Sequence, residues 1–234
     1  MSDVRDRLAL ALDVGAPDDA EAIARRLQPW FGIAKVGMEL YAEAGPAVIE
    51  RLRASGLAVF ADLKLYDIPN TVERAARTLG HRGVDFLNFP AAGGEAMLAA
   101  GVRGLADGAR AGGHPPPKAL AVTVLTSDTD VSALDARLAA AVAAGCDGVV
   151  CSAHEVVTVN ERAPRLGTMV PGIRLPGGSH HDQARVATPA DAIERGADWL
   201  VIGRAVTTAA DPESTAEAIT REVDDALARR ASTR

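Results

Sequence analysis

Eight strand–helix units closing into a parallel (β/α)8 barrel are what this sequence predicts. Short Val/Ala/Leu-rich runs alternate with longer helix-like stretches along all 234 residues. The runs are continuously apolar, as strands buried on both faces of a parallel sheet are, and do not alternate apolar with polar. No linker or low-complexity segment divides the chain, so the units are expected to form one α/β domain, 1–234.

The first run, Arg7–Asp13, precedes a helix at Asp18–Gln28, with Asp18 placed to cap it. Gly32–Gly37 leads to Pro46–Ala54, Ala58–Leu65 to Val72–Gly80, and Asp85–Phe89 to Glu95–Leu105. The Gly/Pro stretch Gly112–Pro117 reads as a surface loop before the fifth run, Lys118–Leu125, which leads to a helix at Ser132–Ala144. Gly148–Ser152 precedes His154–Arg162, and Thr168–Ile173 precedes Pro189–Arg195, where Pro189 takes a first helical position behind Thr188. Trp199–Gly203 is the eighth run, and Pro212–Arg230 the closing helix. Gly145 and Gly196 are placed as the glycines that end helices. A doubly wound open sheet is the other arrangement this alternation allows. No GxGxxG follows the first run, which weakens a dinucleotide-binding reading.

Composition excludes some functions. Hydrophobic residues make up 48% of the chain but aromatics only 3%, too few for base-stacking platforms. The net charge of −6 disfavours a nucleic-acid binder, although one pocket can still be locally positive. Cys146 and Cys151 form no CxxC pattern and lie in apolar surroundings, so two buried, inert thiols are expected. No apolar stretch is long enough to span a bilayer and no leader-like run opens the chain, so no membrane association and a cytoplasmic location are expected.

Charge stands where apolar residues would be expected. The third run and its exit read AVFADLKLYDIPNT, which puts Phe60, Asp62 and Lys64 on one strand face and Asp67 at the strand end. A carboxylate and an ammonium in an apolar strand are costly to bury unless paired. Asp13 ends the first run (LALALD) and Lys35 interrupts the second (GIAKVG). In a barrel these strand ends meet at one mouth. An ion-pair network at the rim would explain any one of them; the set, all at C-terminal strand ends, points to a functional site. The eighth run ends VIGRAVTTAADP, so Gly203 and Arg204 fall where barrels bind phosphate, and the exit VPGIR adds Arg174. The polar, Gly-rich loop Pro176–Gln183 follows the seventh run and could act as a lid at the same face.

These residues carry a resemblance. DLKLYDIPNT resembles the DxKxxDIPNT signature of the orotidine 5′-monophosphate (OMP) decarboxylase family. The likeness continues through ALD at the first run, KVGMEL at the second, AGCDGVVCSAHEV around the sixth, PGIR…DQ…R after the seventh and VIGRAVT…ADP at the eighth, in family order over most of the chain. DxKxxD alone is shared with related sugar-phosphate lyases; the IPNT extension with PGIR and GR is more specific. The resemblance implies a barrel enzyme that converts OMP to UMP and CO₂ without metal or cofactor. It implies a catalytic array of Lys35, Asp62, Lys64 and Asp67, and a homodimer in which Asp67 acts in the partner's site with Ile68 and Thr71 beside it. It further implies that Asp13 and Lys35 hold ribose hydroxyls. Arg174, Gln183, Gly203 and Arg204 are assigned to the phosphate, Pro171 to substrate binding, and Ser127, or Thr126, to the pyrimidine. One departure is Pro90 in NFPAAGG, where the family often carries His in VHAAGG.

Two other functions set the terms of a test. A Mg-dependent lyase of the same superfamily, acting on a 3-keto sugar or hexulose phosphate, would use the same Asp/Lys strand, and the IPNT block speaks against it. A non-catalytic nucleotide sensor would not need the intact Lys/Asp array. Adjacent His180 and His181, with only Asp182 beside them, do not make a metal site; His81, His114 and His154 read as surface or helix-cap residues.

Overall fold

In the computed structural model, which describes residues 4–124, 132–175 and 187–232, parallel strands close into a barrel in chain order. They are β1 (Leu8–Ala11), β2 (Ile33–Val36), β3 (Ala58–Ala61), β4 (Phe86–Pro90), β5 (Lys118–Val122), β6 (Gly148–Val150), β7 (Gly167–Val170) and β8 (Trp199–Ile202). The ring is completed by β8 on β1, with Ala9 opposite Val201. The helices are α1 (Pro17–Leu27), α2 (Met38–Ala44), α3 (Ala47–Ala54), α4 (Pro69–His81), α5 (Gly94–Gly112), α6 (Leu134–Ala143), α7 (Val156–Arg162), α8 (Pro189–Glu194), α9 (Arg204–Thr207) and α10 (Pro212–Ser232). None of the described helices is long and apolar enough to cross a membrane.

Strand alternation divides the core in two. Ala9, Ala11, Ile33, Phe60, Phe86, Leu120, Met169 and Val201 point inward and fill the barrel. Residues one step along, such as Leu8, Leu10, Ala34, Val36, Val59 and Ala61, pack outward under the helices. Near the N-terminal end Phe86 stands edge-on to Trp199 at 5.4 Å, and Lys118 lies 5.8 Å above the Trp199 ring. The barrel interior is therefore a packed core and not a pore.

A repeated turn closes the other end. Gly83-Val84-Asp85, Gly145-Cys146-Asp147 and Gly196-Ala197-Asp198 precede β4, β6 and β8, each glycine with positive φ. In each turn the aspartate carboxylate accepts a backbone N–H from the neighbouring odd strand: Val59 at 2.8 Å, Ala119 at 2.8 Å and Thr168 at 2.9 Å. Each aspartate N–H in turn donates to the carbonyl of that same residue. Three even strands are thus tied to their odd neighbours where the ladder begins. Cys146 and Cys151 are buried, as expected, and burial, with Asp147 nearby, pushes the Cys146 thiol up to about 12.

Some elements depart from the sequence reading. The strands are shorter than their apolar runs, because tilted strands in a closed ring pair over only a few residues before bending into loops. Arg7 belongs to a 3-10 turn, Val4–Arg7. Asp18 does not cap α1: Ala16 is the cap residue and makes no side-chain bond, Pro17 opens the helix, and Asp18 accepts from Arg51 at 2.7 Å. Thr188 does cap α8, in a reciprocal pairing with Asp191. Helix α2 was not anticipated. Helix α5 runs to Gly112, seven residues past the expected end at Leu105. Its glycines serve close packing on α4: a methyl on Gly104 or Gly108 would lie 2.1 or 2.0 Å from the carbonyl oxygen of Glu73 or Arg77.

Candidate active site

The barrel mouth encloses a cavity of about 310 Å³, within the range of small-molecule sites. Its wall carries Asp13, Lys35, Asp62 and Lys64 on one side and Pro171, Gly172, Arg174, Gly203 and Arg204 on the other. Ala11, Phe60, Val122, Val124, Val150 and Val201 make the apolar floor and flank. Eight residues singled out from sequence therefore share one cavity.

Strand register explains the charged side. Lys35 stands opposite Ala11 on β1 and Phe60 on β3, in the inward-facing layer, and is buried. Asp13 lies two residues beyond β1. Asp62 directly follows β3, its N–H still donating to the Val36 carbonyl at 2.9 Å. Lys64 does not continue that strand, contrary to the alternation expected for Ala58–Leu65. Its φ is +50°, and no other described non-glycine residue has a positive value. For a lysine this costs roughly 1–3 kcal/mol and persists only where neighbours enforce it.

The charges form a chain. Lys35 Nζ is 2.8 Å from Asp13 Oδ1 and 3.6 Å from Asp62 Oδ2; Lys64 Nζ is 2.5 Å from Asp62 Oδ1. A methyl at Gly37 would approach Asp13 Oδ1 at 3.0 Å and Lys35 Nζ at 3.4 Å, so this glycine leaves room for the pair. Burial raises the Asp62 pKa, but Lys35 and Lys64, with hydrogen bonds from Lys64 and Asn88, outweigh it and hold the carboxyl below its usual range. Asp62 is therefore ionised at neutral pH and fixes both ammonium groups at the cavity.

The opposite rim is built from the exits of β7 and β8. Gly172 has φ +80°, and beyond it Arg174 N–H donates to Ala187 O at 2.9 Å while Ile173 bridges Ala187. This ties the exit of β7 to Ala187, just ahead of Thr188. Arg174 is nearly buried, its guanidinium donating to the Ile173 carbonyl at 2.8 Å. Gly203 lies beside Ala11 of the neighbouring β1, and Arg204 opens α9. Two arginines and glycine backbone at one rim suit an anion such as phosphate.

Other expected site residues lie elsewhere. Asp67, Ile68 and Thr71 are exposed and do not line this chain's cavity; Asp67 Oδ1 accepts from the Ile68 N–H at 2.6 Å. Tyr66 and Ile68 are 61% and 66% exposed, as is Met38 at 63%. Ser127, Thr126 and Gln183 fall outside the described residues, as do His180 and His181. Pro90 ends β4 opposite Val122 and does not line the cavity. The sequence reading missed Gly37, Asn88 and the apolar lining. Inward valines on β5, β6 and β8 look the same as core valines in sequence, and only register gives them to the site.

The arrangement can hold an anionic group at the arginine rim while presenting a fixed ammonium, Lys64, to a planar group over the valine and Phe60 floor. Among the described residues no three or more His, Cys, Asp or Glu side chains gather as metal ligands.

Comparison with known proteins bears on this site. Residues 6–219 match the family model described as "Orotidine 5'-phosphate decarboxylase / HUMPS family". The chain is 43% identical to the orotidine 5′-phosphate decarboxylase of Moorella thermoacetica over 94% of its own length and 93% of that protein's. It is 46% identical to that of Anaeromyxobacter sp. (strain K), over 92% and 96% respectively. Among solved structures, orotidine 5′-phosphate decarboxylase from Lactobacillus acidophilus superposes with a TM-score of 0.76 at 37% identity, covering 94% of this chain and all 100% of that one. An uncharacterized conserved protein from Geobacillus kaustophilus gives 0.78 at 36% identity, covering 92% and 99%.

Proposed function

Because the chain belongs to the orotidine 5′-phosphate decarboxylase / HUMPS family, we propose that its cavity decarboxylates OMP to UMP, with Lys64 as the group that makes this possible. The enzyme is then a carboxy-lyase of pyrimidine nucleotide synthesis. The supporting observation is the Asp13–Lys35–Asp62–Lys64 chain at the mouth, with Arg174, Gly203 and Arg204 across the cavity. The relatives named for this activity, rather than for a keto-sugar phosphate, favour it over the superfamily alternative. A cytoplasmic location accords with a soluble nucleotide substrate.

In this reading the phosphate lies on the arginine rim, with Gln183 contributing, and Asp13 and Lys35 hold the ribose hydroxyls. Ser127 or Thr126 faces the pyrimidine. The C6–carboxylate bond breaks, its electron pair stays on C6 and CO₂ leaves. The Lys64 ammonium stabilises the growing negative charge, then gives its proton to C6 to form UMP, and regains one from solvent. A fixed cation in a site shielded from water stabilises such charge far more than a mobile one in water. Asp62 keeps Lys64 charged and aimed. Its closeness to the substrate carboxylate also disfavours the ground state, a smaller and contested contribution.

The fourth member of the array, Asp67, is assigned to a partner's site in a homodimer. Exposed Tyr66 and Ile68 on either side of Asp67 support this assignment, since apolar side chains grouped at the surface mark contact sites where single ones do not. The test of the activity is OMP turnover by purified protein in EDTA, followed by loss of orotate absorbance. Stoichiometric UMP is expected. No turnover in EDTA, with activity on keto-sugar phosphates once Mg²⁺ is restored, would transfer the chain to the sister activity.

A further inference from the structure

Asn88 lies one inward step beyond Phe86 on β4 and is fully buried. It does not line the cavity; it sits beneath the charged wall. Its side chain makes two bonds whose partners fix the orientation of the amide. Oδ1 accepts the Lys64 backbone N–H at 2.8 Å, and a backbone N–H can only donate. Nδ2 donates to Asp62 Oδ1 at 2.6 Å, and an ionised carboxylate can only accept. Its carbonyl takes the Leu65 N–H at 3.2 Å.

The pairing of β3 with β4 ends at Ala61 opposite Leu87. Just there the chain leaves the ladder and Lys64 takes its left-handed conformation. Asn88 replaces the missing ladder contacts: main chain to Leu65, side chain to Lys64 and Asp62. One buried amide thus holds the backbone of the proposed proton donor and the carboxylate that aims its ammonium.

We propose that Asn88 is a positioning residue for the decarboxylation, locking the Asp62–Lys64 pair in its productive geometry without touching substrate. The inference rests on the roles given above to Lys64 and Asp62. The low pKa of Asp62 is consistent with the Asn88 bond to its ionised form.

Two variants test this alongside wild type, with kcat and KM measured as a function of pH. Asn88→Ala removes both side-chain bonds; kcat should fall about 10–100-fold with little change in KM, the size seen when a group orienting a functional side chain is removed. Asn88→Asp keeps the shape and the acceptor for the Lys64 N–H but sets a second carboxyl against Asp62. Two carboxyls this close share a proton at low pH and repel once both ionise. The ratio of its kcat to that of wild type should therefore be highest at low pH and fall as pH rises, which mere loss of packing would not produce. Asn88→Ala with kcat within twofold of wild type, or with KM raised and kcat unchanged, overturns the proposal, as does an Asn88→Asp profile parallel to that of wild type. If Asn88→Ala does not fold, the Asn88→Asp profile decides alone. Wild-type turnover with unaffected variants sinks only this inference, whereas no wild-type turnover of OMP sinks the functional reading and this inference with it.

Discussion

Asp62 faces two lysines and an asparagine amide in a space that would otherwise hold an apolar side chain. The charge is stable there because its partners exceed the penalty of burial, and the sign follows for acid stability. A carboxyl whose folded pKa lies below its unfolded value, ordinarily about 3.9, stabilises the fold above that value and loses the contribution as pH falls through the folded pKa. Asp62→Asn should therefore flatten part of the acid limb of a stability–pH curve measured by denaturant melts; an unchanged acid limb would show that Asp62 is not held low. At the far rim, if phosphate binding energy holds the ring against Lys64 as proposed, Arg204→Ala should lower kcat as well as raise KM. An effect on KM alone would confine Arg204 to tethering.

Each charged side chain reaches the cavity through the element that carries it, and elements were legible unevenly in the sequence. Continuous apolar runs gave all eight strands, since a doubly covered parallel sheet needs such runs. Charges at run ends gave the mouth, since burial of Lys35 and Asp62 has no other inexpensive solution. Strand ends were misplaced: nothing in LKLYD marks where β3 leaves the ladder, because Lys64 takes its left-handed turn from contacts with Asn88, 24 residues away in sequence. Asn88 itself read as one polar residue in NFPAAGG. Helix α5 continues past its expected end through Gly108 to Gly112, because the low helix propensity of glycine is overridden here by backbone-to-backbone packing against α4. Gly108→Ala should accordingly cost about 1–3 kcal/mol in thermal or denaturant unfolding, by forcing α5 off α4, despite alanine's better propensity; a neutral or stabilising result would show that the helices relax apart easily. The threefold Gly-x-Asp turn at the closed end was visible in the sequence but not read as a device. Asp147→Ala should destabilise by about 1–3 kcal/mol through the unpaired Ala119 N–H, while turnover by the protein that remains folded is unchanged.

For the whole molecule, the barrel separates stability from chemistry: aspartate turns and the Phe86–Trp199 plug at one end, a charged cavity at the other. Whether one chain completes a site is a question at this scale. Asp67 lies outside its own chain's cavity, so a site that uses it would draw it from a second copy. Mixing Lys64→Ala with Asp67→Ala subunits should then restore activity to about a quarter of wild-type sites, because half the random dimers carry one site free of both changes. Recovery of none would place Asp67 in its own chain's site, and an Asp67→Ala protein as active as wild type would remove it from the chemistry.

The most direct test of the account is the turnover of OMP by Lys64→Ala beside wild type under identical conditions. If one lysine both stabilises the C6 carbanion and protonates it, kcat should fall by at least ~10⁴-fold, with the fold unchanged by thermal melt. A loss under tenfold would contradict the central role of Lys64 and require another source of the charge and the proton.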